Sequence, residues 1–186
     1  MEPEWGPSLL AIARGAIAAE LGEPEPAFIA ATWLLDPGAT FVTLHRHGQL
    51  RGCIGSLQAR RPLGEDVAVN AQAAAFRDDR FEPLGRHEYP ELEIEVSLLS
   101  PLEGVAFQGQ EHLLSLLRPG VDGLVLEYQG HRGTFLPQVW AQLTEPAAFL
   151  AHLKQKAGLA AAFWDEGIRI SRYTVTGWQE TGAAHG

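Results

Sequence analysis

The chain has 186 residues, a single cysteine and a net charge of −9 from 23 acidic and 14 basic residues. This length suits one domain, or one domain with a small lobe, whose core needs neither disulfides nor a structural metal. The acidic balance argues against general nucleic-acid binding, which needs a basic face. No signal peptide and no membrane-spanning apolar stretch is evident, so we expect a cytoplasmic protein that does not bind membranes.

Apolar spacing of helical period predicts helices over residues 8–21, 62–78, 110–120 and 145–158. Alternating segments predict strands over 40–46, 50–57, 92–101 and 168–178, and a hairpin over 122–140 that turns around Gly130–Gly133. Residues 23–39 fit either a short helix or a docked loop, 78–90 a connecting loop, and 181–186 a frayed tail. Because the strands and helices show no regular βαβ order, we predict an α+β fold of mainly antiparallel sheets flanked by helices.

The first hairpin contains the segment "LRGCIGSL", residues 50–57, with the only cysteine. A two-residue loop at 47–48 would place Arg51 and Cys53 on the apolar face. A three-residue loop, 47–49, instead pairs Thr43 with Cys53 and His45 with Arg51. We prefer this second register because it gives one face that is wholly apolar: Val42, Leu44, Leu50 and Ile54.

Cys53 is the first candidate catalytic residue. In the preferred register Arg51 shares its face, and a nearby cation favours thiolate, so we expect a thiol pKa below that of free cysteine. Gly52 and Gly55 are candidate ligand-binding positions, since strand glycines often mark the close approach of a ligand or of another backbone. The alternative interpretation is a cysteine that packs as a small hydrophobe, with glycines that serve a bulge.

A thiol nucleophile usually needs a base, and His45 is the local candidate. Glu95 is a second candidate for acid–base chemistry, although carboxylates on a half-exposed strand are usually surface charge. Asp78 and Arg80 follow a predicted helix and either form a structural salt bridge or line a ligand pocket. Cys53 with His45 and His47 is too weak a pattern to predict a zinc site, so we expect no metal.

The sequence resembles the AMMECR domain family. The resemblance lies in segments that occur in the family's order between about Leu9 and Trp178: "LRGCIGSL", "AAAFRDDRF", "LEIEVSLLSP", "GVDGLVLE", "RGTFLPQVW" and "FLAHLKQKAGL". One departure is Asp79, where the family pattern has proline after the motif aspartate Asp78. The bacterial and archaeal branch is called the AmmeMemoRadiSam system protein A.

The resemblance implies one AMMECR-type domain over residues 1–180, with a larger and a smaller lobe. It also implies two partners, a Memo-like protein and a radical S-adenosylmethionine enzyme, but no settled reaction. The sequence itself carries no cofactor motif. Two hypotheses follow: an enzyme or enzyme component whose pocket at Cys53 and Arg51 binds an anionic or carbonyl group, and a non-catalytic binding module in which Cys53 is structural.

Overall fold

The computed structural model of the chain describes residues 5–28 and 30–181. Its helices are α1 (Trp5–Leu21), α2 (Leu63–Phe76), α3 (Gly109–Leu116) and α4 (Pro146–Lys156), with 3-10 helices at Thr32–Leu35, Arg86–Glu91 and Pro137–Ala141. Its strands are β1 (Pro37–Gly38), β2 (Thr40–Arg46), β3 (Gln49–Gly55), β4 (Arg61–Pro62), β5 (Leu92–Leu99), β6 (Glu103–Gly104), β7 (Gly123–Tyr128), β8 (His131–Phe135), β9 (Arg169–Tyr173) and β10 (Val175–Gln179). The α+β prediction is confirmed. Of the predicted frayed tail, 181–186, residues 182–186 lie outside the described residues.

The chain divides into two compact units, one formed by Met1–Leu99 with Thr176–Gly186 and the other by Ser100–Val175. The larger unit is built on a four-stranded sheet of order β10-β5-β2-β3. One face of this sheet packs against α1 and α2 through fully buried side chains such as Val42, Leu44, Ile94, Val96 and Val67. The alternation that predicted Val42 and Leu44 as core residues therefore places every second residue of β2 on the opposite face.

The smaller unit contains a sheet of order β6-β9-β7-β8 together with α3 and α4. The predicted turn at Gly130–Gly133 is wrong. The hairpin turns at Gln129 and Gly130, both with positive φ, and His131–Gly133 already belongs to β8. A 3-10 helix from Pro137 replaces the end of the predicted second strand.

The segment predicted as one strand, 168–178, forms two strands in different sheets. β9 pairs with β7 in the smaller unit, whereas β10 joins the sheet of the larger unit beside β5. Alternation continues through both segments, so it gives no signal of the change of sheet. No helix within the described residues is long and apolar enough to cross a membrane.

The first hairpin combines features of both registers considered from the sequence. Its turn has two residues, His47 and Gly48, which both have positive φ, as a tight hairpin turn requires. Thr43 nevertheless pairs with Cys53, as predicted, because a bulge between Leu44 and His45 shifts the register. The extra residue is Arg51.

The bulge corrects two predictions about this hairpin. His45 pairs with Leu50 rather than with Arg51. Leu50 is therefore not a core residue, and it is 42% exposed. A two-residue loop had been rejected because it would place Cys53 on the apolar face. The extra residue in the bulge shifts the pairing by one position, so that Cys53 pairs with Thr43 and lies on the other face.

Candidate functional site

Three residues from neighbouring strands form a row in the sheet of the larger unit, on the face that is turned away from the helices. Thr43 of β2 pairs with Cys53 of β3 on one side and with Glu95 of β5 on the other. We call these three residues the thiol row. The Sγ of Cys53 lies 3.3 Å from the Oγ1 of Thr43, and the cysteine is partly exposed. The site therefore places a thiol, a hydroxyl and a carboxylate side by side.

The backbone of Cys53 is held by two residues that follow α2. Its N–H donates to Oδ2 of Asp78 at 2.9 Å, and its carbonyl oxygen accepts from Nη2 of Arg80 at 3.3 Å. Arg80 also donates to both Asp78 oxygens, at 2.9 and 2.6 Å. Because β3 is an edge strand, this Asp78–Arg80 clamp satisfies backbone groups that no further strand pairs.

The Asp78–Arg80 clamp combines a buried anion with a half-exposed cation. The Asp78 side chain is 2% exposed, and hydrogen bonds from the Arg80 side chain hold the pKa of its carboxyl far below the usual range. The Arg80 side chain is 53% exposed. Both residues were predicted as a salt bridge or as ligand-binding residues. The structure brings them together beside Cys53, with the Arg80 side chain half exposed.

The pKa of the Cys53 thiol is raised above its ordinary value. Burial is the largest cause, and the negative charges of Asp78 and Glu95 act in the same direction. The hydrogen bond with Thr43 and the positive charge of Arg80 lower it, but by less. The expectation of a lowered thiol pKa is therefore wrong, because burial outweighs the cation. At neutral pH the thiol is protonated.

Arg51, predicted to support the thiolate, is bound elsewhere. Its guanidinium donates to both carboxylate oxygens of Glu88, each at 3.0 Å, and to the backbone oxygen of Glu82 at 2.9 Å. Its side chain is only 14% exposed and lies over the ring of Phe81. The cation that acts on the thiol is Arg80. The bulge explains the difference, since it takes Arg51 out of the alternation that would have aligned it with Cys53.

Glu88 was missed from the sequence. It lies in the segment predicted as a loop, 78–90, where a 3-10 helix turns its side chain toward Arg51, Arg46 and the backbone N–H of Gly85. Hydrogen bonds from Arg51 are the main reason that the pKa of Glu88 is lowered to about 2. The one signal in the sequence is the pair of arginines in the hairpin, Arg46 and Arg51, both of which need a carboxylate partner.

His45 and Glu95 take different places relative to the thiol. His45 pairs with Leu50 and Glu93, one step along β2 from the thiol row. Within the described part of the chain its Nδ1 is buried without a hydrogen-bond partner. Glu95 lies in the thiol row, and its charge acts on the thiol. Of these two candidates, Glu95 is the one in the same row as Cys53, and its carboxylate accepts a hydrogen bond from Ser97.

The two glycines of the motif have their space filled by the protein itself. A Cβ on Gly52 would lie 2.1 Å from the backbone oxygen of Ala74 in α2. A Cβ on Gly55 would lie 2.2 Å from the ring of Phe41, which covers it. Close packing therefore accounts for both glycines, and they leave no space for a ligand at these Cβ positions.

Among the residues that the structure describes, no group of three or more histidine, cysteine, aspartate or glutamate side chains is arranged to hold a metal ion. Cys53, His45 and His47, the set considered from the sequence, are therefore not arranged as a metal site. The chemical groups that the site offers are therefore the thiol, hydroxyl, carboxylate and guanidinium of the thiol row and the Asp78–Arg80 clamp.

Comparison with known proteins identifies similar proteins and a similar solved structure. The chain is 38% identical to a protein of Methanothermobacter thermautotrophicus over 146 residues, which are 76% of this chain and 75% of that protein. It is 38% identical to a protein of Methanocaldococcus jannaschii over 144 residues, covering 75% and 72% of the two chains. It is also similar to the crystal structure of an uncharacterized protein from Pyrococcus horikoshii, with a TM-score of 0.88 and 34% identity over 97% of this chain and 93% of that one.

The family comparison covers both units and the candidate site. The model of the family described as AMMECR1 matches residues 10–178, which include the thiol row and the Asp78–Arg80 clamp. The resemblance inferred from the motifs is confirmed: the chain belongs to the AMMECR1 family.

Proposed function

We propose that this protein works with a Memo-like protein and a radical S-adenosylmethionine enzyme, and that the thiol row is its reactive site. The partners follow from the resemblance to the AmmeMemoRadiSam system protein A. A single observation carries the site: the only thiol of the chain is partly exposed, hydrogen-bonded to Thr43 and flanked by charges of both signs. A reducing cytoplasm would keep this thiol free.

In this proposal Cys53 adds to an electrophilic carbonyl group. The sulfur forms a bond to the carbonyl carbon, and the π electron pair of the C=O bond moves to the oxygen. The thiol proton passes to the carboxylate of Glu95, which lies in the same row and whose charge acts on the thiol. A base is needed at this moment because the raised pKa keeps the thiol protonated beforehand.

The substrate class follows from the charge beside the thiol. Arg80 is half exposed, and its positive charge reaches Cys53. The guanidinium is already fixed by Asp78, so little conformational entropy is lost when it binds a second anion. We therefore propose a small carbonyl compound that carries a carboxylate or phosphate.

A second candidate function is a non-catalytic binding module in which Cys53 only packs. Two observations favour it: burial raises the thiol pKa, and the protein itself fills the space beside both motif glycines. In that case the Asp78–Arg80 clamp is a structural device that fixes an edge strand. The two candidate functions predict different rates of alkylation of Cys53 and a different effect of Arg80 on those rates.

The deciding experiment compares alkylation of Cys53 by anionic iodoacetate and by neutral iodoacetamide at one pH. The thiolate fraction cancels in the ratio of the two rates, so the ratio reports only how the site treats a negative charge. We expect Arg80→Met to lower this ratio by about threefold to tenfold. Arg60→Met is the matched control, because Arg60 is exposed and hydrogen-bonded to the side chain of Gln58. An unchanged ratio in Arg80→Met would remove the anion site from the proposal.

Cell-based complementation separates catalysis from packing. We expect Cys53→Ser to fail to complement a deletion of the gene while its melting temperature stays close to wild type. A destabilised but complementing Cys53→Ser variant would establish the binding-module alternative. Co-expression with the Memo-like protein and the radical enzyme of the same organism, followed by copurification, tests the partners directly. If the protein copurifies with neither partner in all of the pairwise and three-way combinations, direct association is contradicted.

A further inference from the structure

The larger unit contains a cavity that takes no part in the thiol row. Its volume is about 570 Å³, and it lies between α1, α2 and the 3-10 helix Thr32–Leu35. Most of its lining is apolar, with Ile12 and Ala16 from α1, Ala68 from α2 and Leu34 from the 3-10 helix. We call it the helix cavity. Its volume is in the range that binds small organic molecules.

Exposed hydrophobic side chains gather at the helix cavity. Within the described residues, the large hydrophobic side chains that are exposed are Phe28, Leu35, Leu50 and Val121. Two of them, Phe28 at 51% and Leu35 at 72%, line this cavity. Apolar surface concentrated at a concave site, rather than scattered singly, is typical of a place that a ligand covers.

The charged residues of the lining are both acidic. Glu65 lies in the first turn of α2, and Glu25 lies over α1, where its Oε2 would be 3.9 Å from a Cβ on Gly15. Both are exposed, and within the described part of the chain neither forms an ion pair. The helix cavity therefore combines apolar walls with two carboxylates that no cation of the described chain neutralises.

We propose that the helix cavity binds a small molecule with an apolar body and a cationic group, such as an aliphatic or aromatic amine. The apolar body occupies the space between Ile12, Leu34 and Ala68, and the cation faces Glu25 and Glu65. Burial of the apolar body supplies the affinity, and the two carboxylates supply the preference for a positive charge. The volume between the two helices and the 3-10 helix suits a small molecule rather than a long peptide.

The test uses two probes of matched chain length, decyltrimethylammonium and decanoate, well below their micelle-forming concentrations. Isothermal titration calorimetry on the full chain should show saturable 1:1 binding of the cation and at least tenfold weaker binding of the anion. Raising the salt concentration should narrow this difference, because it screens the carboxylates. Equal binding of both probes, or non-saturable binding, would overturn the proposal.

Variants locate the binding to the helix cavity. Ala68→Phe fills the cavity and should weaken decyltrimethylammonium binding at least tenfold, whereas Ala73→Phe, on α2 but outside the lining, should not. Glu65→Gln should weaken the cation about threefold to tenfold, whereas Glu20→Gln on α1 should not. Circular dichroism and melting temperature show whether each variant is folded.

If Ala68→Phe fails to fold, Ala11→Phe on the opposite wall takes its place. Full-affinity binding in a folded, cavity-filled variant would overturn the proposal, as would binding of a basic amphipathic peptide but not of the small cation.

Discussion

The guanidinium of Arg51 and the carboxylate of Glu88 form two parallel hydrogen bonds, Nε to Oε1 and Nη2 to Oε2, each 3.0 Å long. The two side chains are 14% and 11% exposed, so most of the pair is removed from water. The pair joins the bulge of the first hairpin to the 3-10 helix Arg86–Glu91. The arginine of the motif is thus bound to a structural partner, Glu88, and not to the thiol.

Replacing Arg51 tests this assignment. Arg51→Met leaves the mostly buried Glu88 carboxylate without its main partner, and we expect the free energy of unfolding to fall by about 3 kcal/mol. Because Arg51 is not among the charges that act on the thiol, the pKa of Cys53 should stay unchanged. Urea unfolding and the pH dependence of iodoacetamide alkylation measure the two quantities. A lowered stability together with a clearly raised thiol pKa would show that Arg51 also acts on Cys53, contrary to this assignment.

The same pair predicts how stability depends on pH. The pKa of Glu88 is lowered to about 2 in the folded protein, against about 4.3 in the unfolded chain. Its contribution is therefore fully present above about pH 4.3 and is lost as the pH falls toward 2, by on the order of 3 kcal/mol. Asp78, whose pKa is also lowered, acts in the same direction.

Urea unfolding at several pH values checks this dependence. Glu88→Gln should be less stable than wild type at pH 7 and should lose less stability between pH 5 and pH 2. The control Glu20→Gln, an exposed position on α1, should follow the wild-type curve. Parallel curves for wild type and Glu88→Gln would show that Glu88 is not a source of the acid sensitivity.

Local patterns predicted the part of the site that lies on regular strands. Alternation correctly paired Thr43 with Cys53, because the apolar face of β2 must meet the helices. It could not predict the bulge at Arg51, since either a three-residue loop or a two-residue turn with a bulge satisfies the same pattern. It also could not pair Arg51 with Glu88, because a contact between residues 37 positions apart depends on the tertiary fold.

The reason for the motif glycines also required the tertiary fold. Gly52 was interpreted as room for a substrate, but the backbone oxygen of Ala74 occupies that position. Sequence identifies a glycine that needs space and not the group that fills it. In the same way, the strand pattern of residues 168–178 was recognised, whereas its division between two sheets was not.

Gly52→Ala tests the close approach of α2 to β3. A Cβ 2.1 Å from a backbone oxygen cannot be relieved by a side-chain rotation, so the helix must shift. We expect a loss of about 3 kcal/mol of unfolding free energy, at the upper end of overpacking effects. Gly104→Ala is the control, because a Cβ there meets nothing within 4 Å. Equal stability of the two variants in chemical denaturation would contradict the packing assignment of Gly52.

Gly55→Ala should behave differently, because the group in its way is a side chain. A Cβ at Gly55 would meet the ring of Phe41, at 2.2 Å from the nearest atom. We expect the variant to be destabilised, and a second substitution, Phe41→Leu, to remove most of the added cost. A double-mutant cycle measures this coupling. Additive effects of the two substitutions would show that the ring does not limit this position.

Arg80 is the cation that favours the thiolate of Cys53. Arg80→Met should therefore raise the already high thiol pKa further, which slows iodoacetamide alkylation at pH 7.5. The variant also removes the partner of the buried Asp78, so some loss of stability accompanies the change. Alkylation rates measured from pH 7 to 11 give the pKa. A pKa equal to that of wild type would mean that Arg80 does not contribute to the reactivity of the thiol.

Replacing Glu95 with glutamine distinguishes two roles of its carboxylate: the effect of its charge on the thiol pKa, and the acceptance of the thiol proton. Its negative charge raises the pKa of the neighbouring thiol, so Glu95→Gln should lower that pKa and speed iodoacetamide alkylation at pH 7.5. If Glu95 accepts the thiol proton in the proposed reaction, the same variant should fail in complementation although its thiol is more reactive. Glu93→Gln is the matched control, one step along the same face of β5 and opposite His45. A Glu95→Gln variant that complements fully with a faster-reacting thiol would exclude Glu95 as the base and leave it only an electrostatic effect on Cys53.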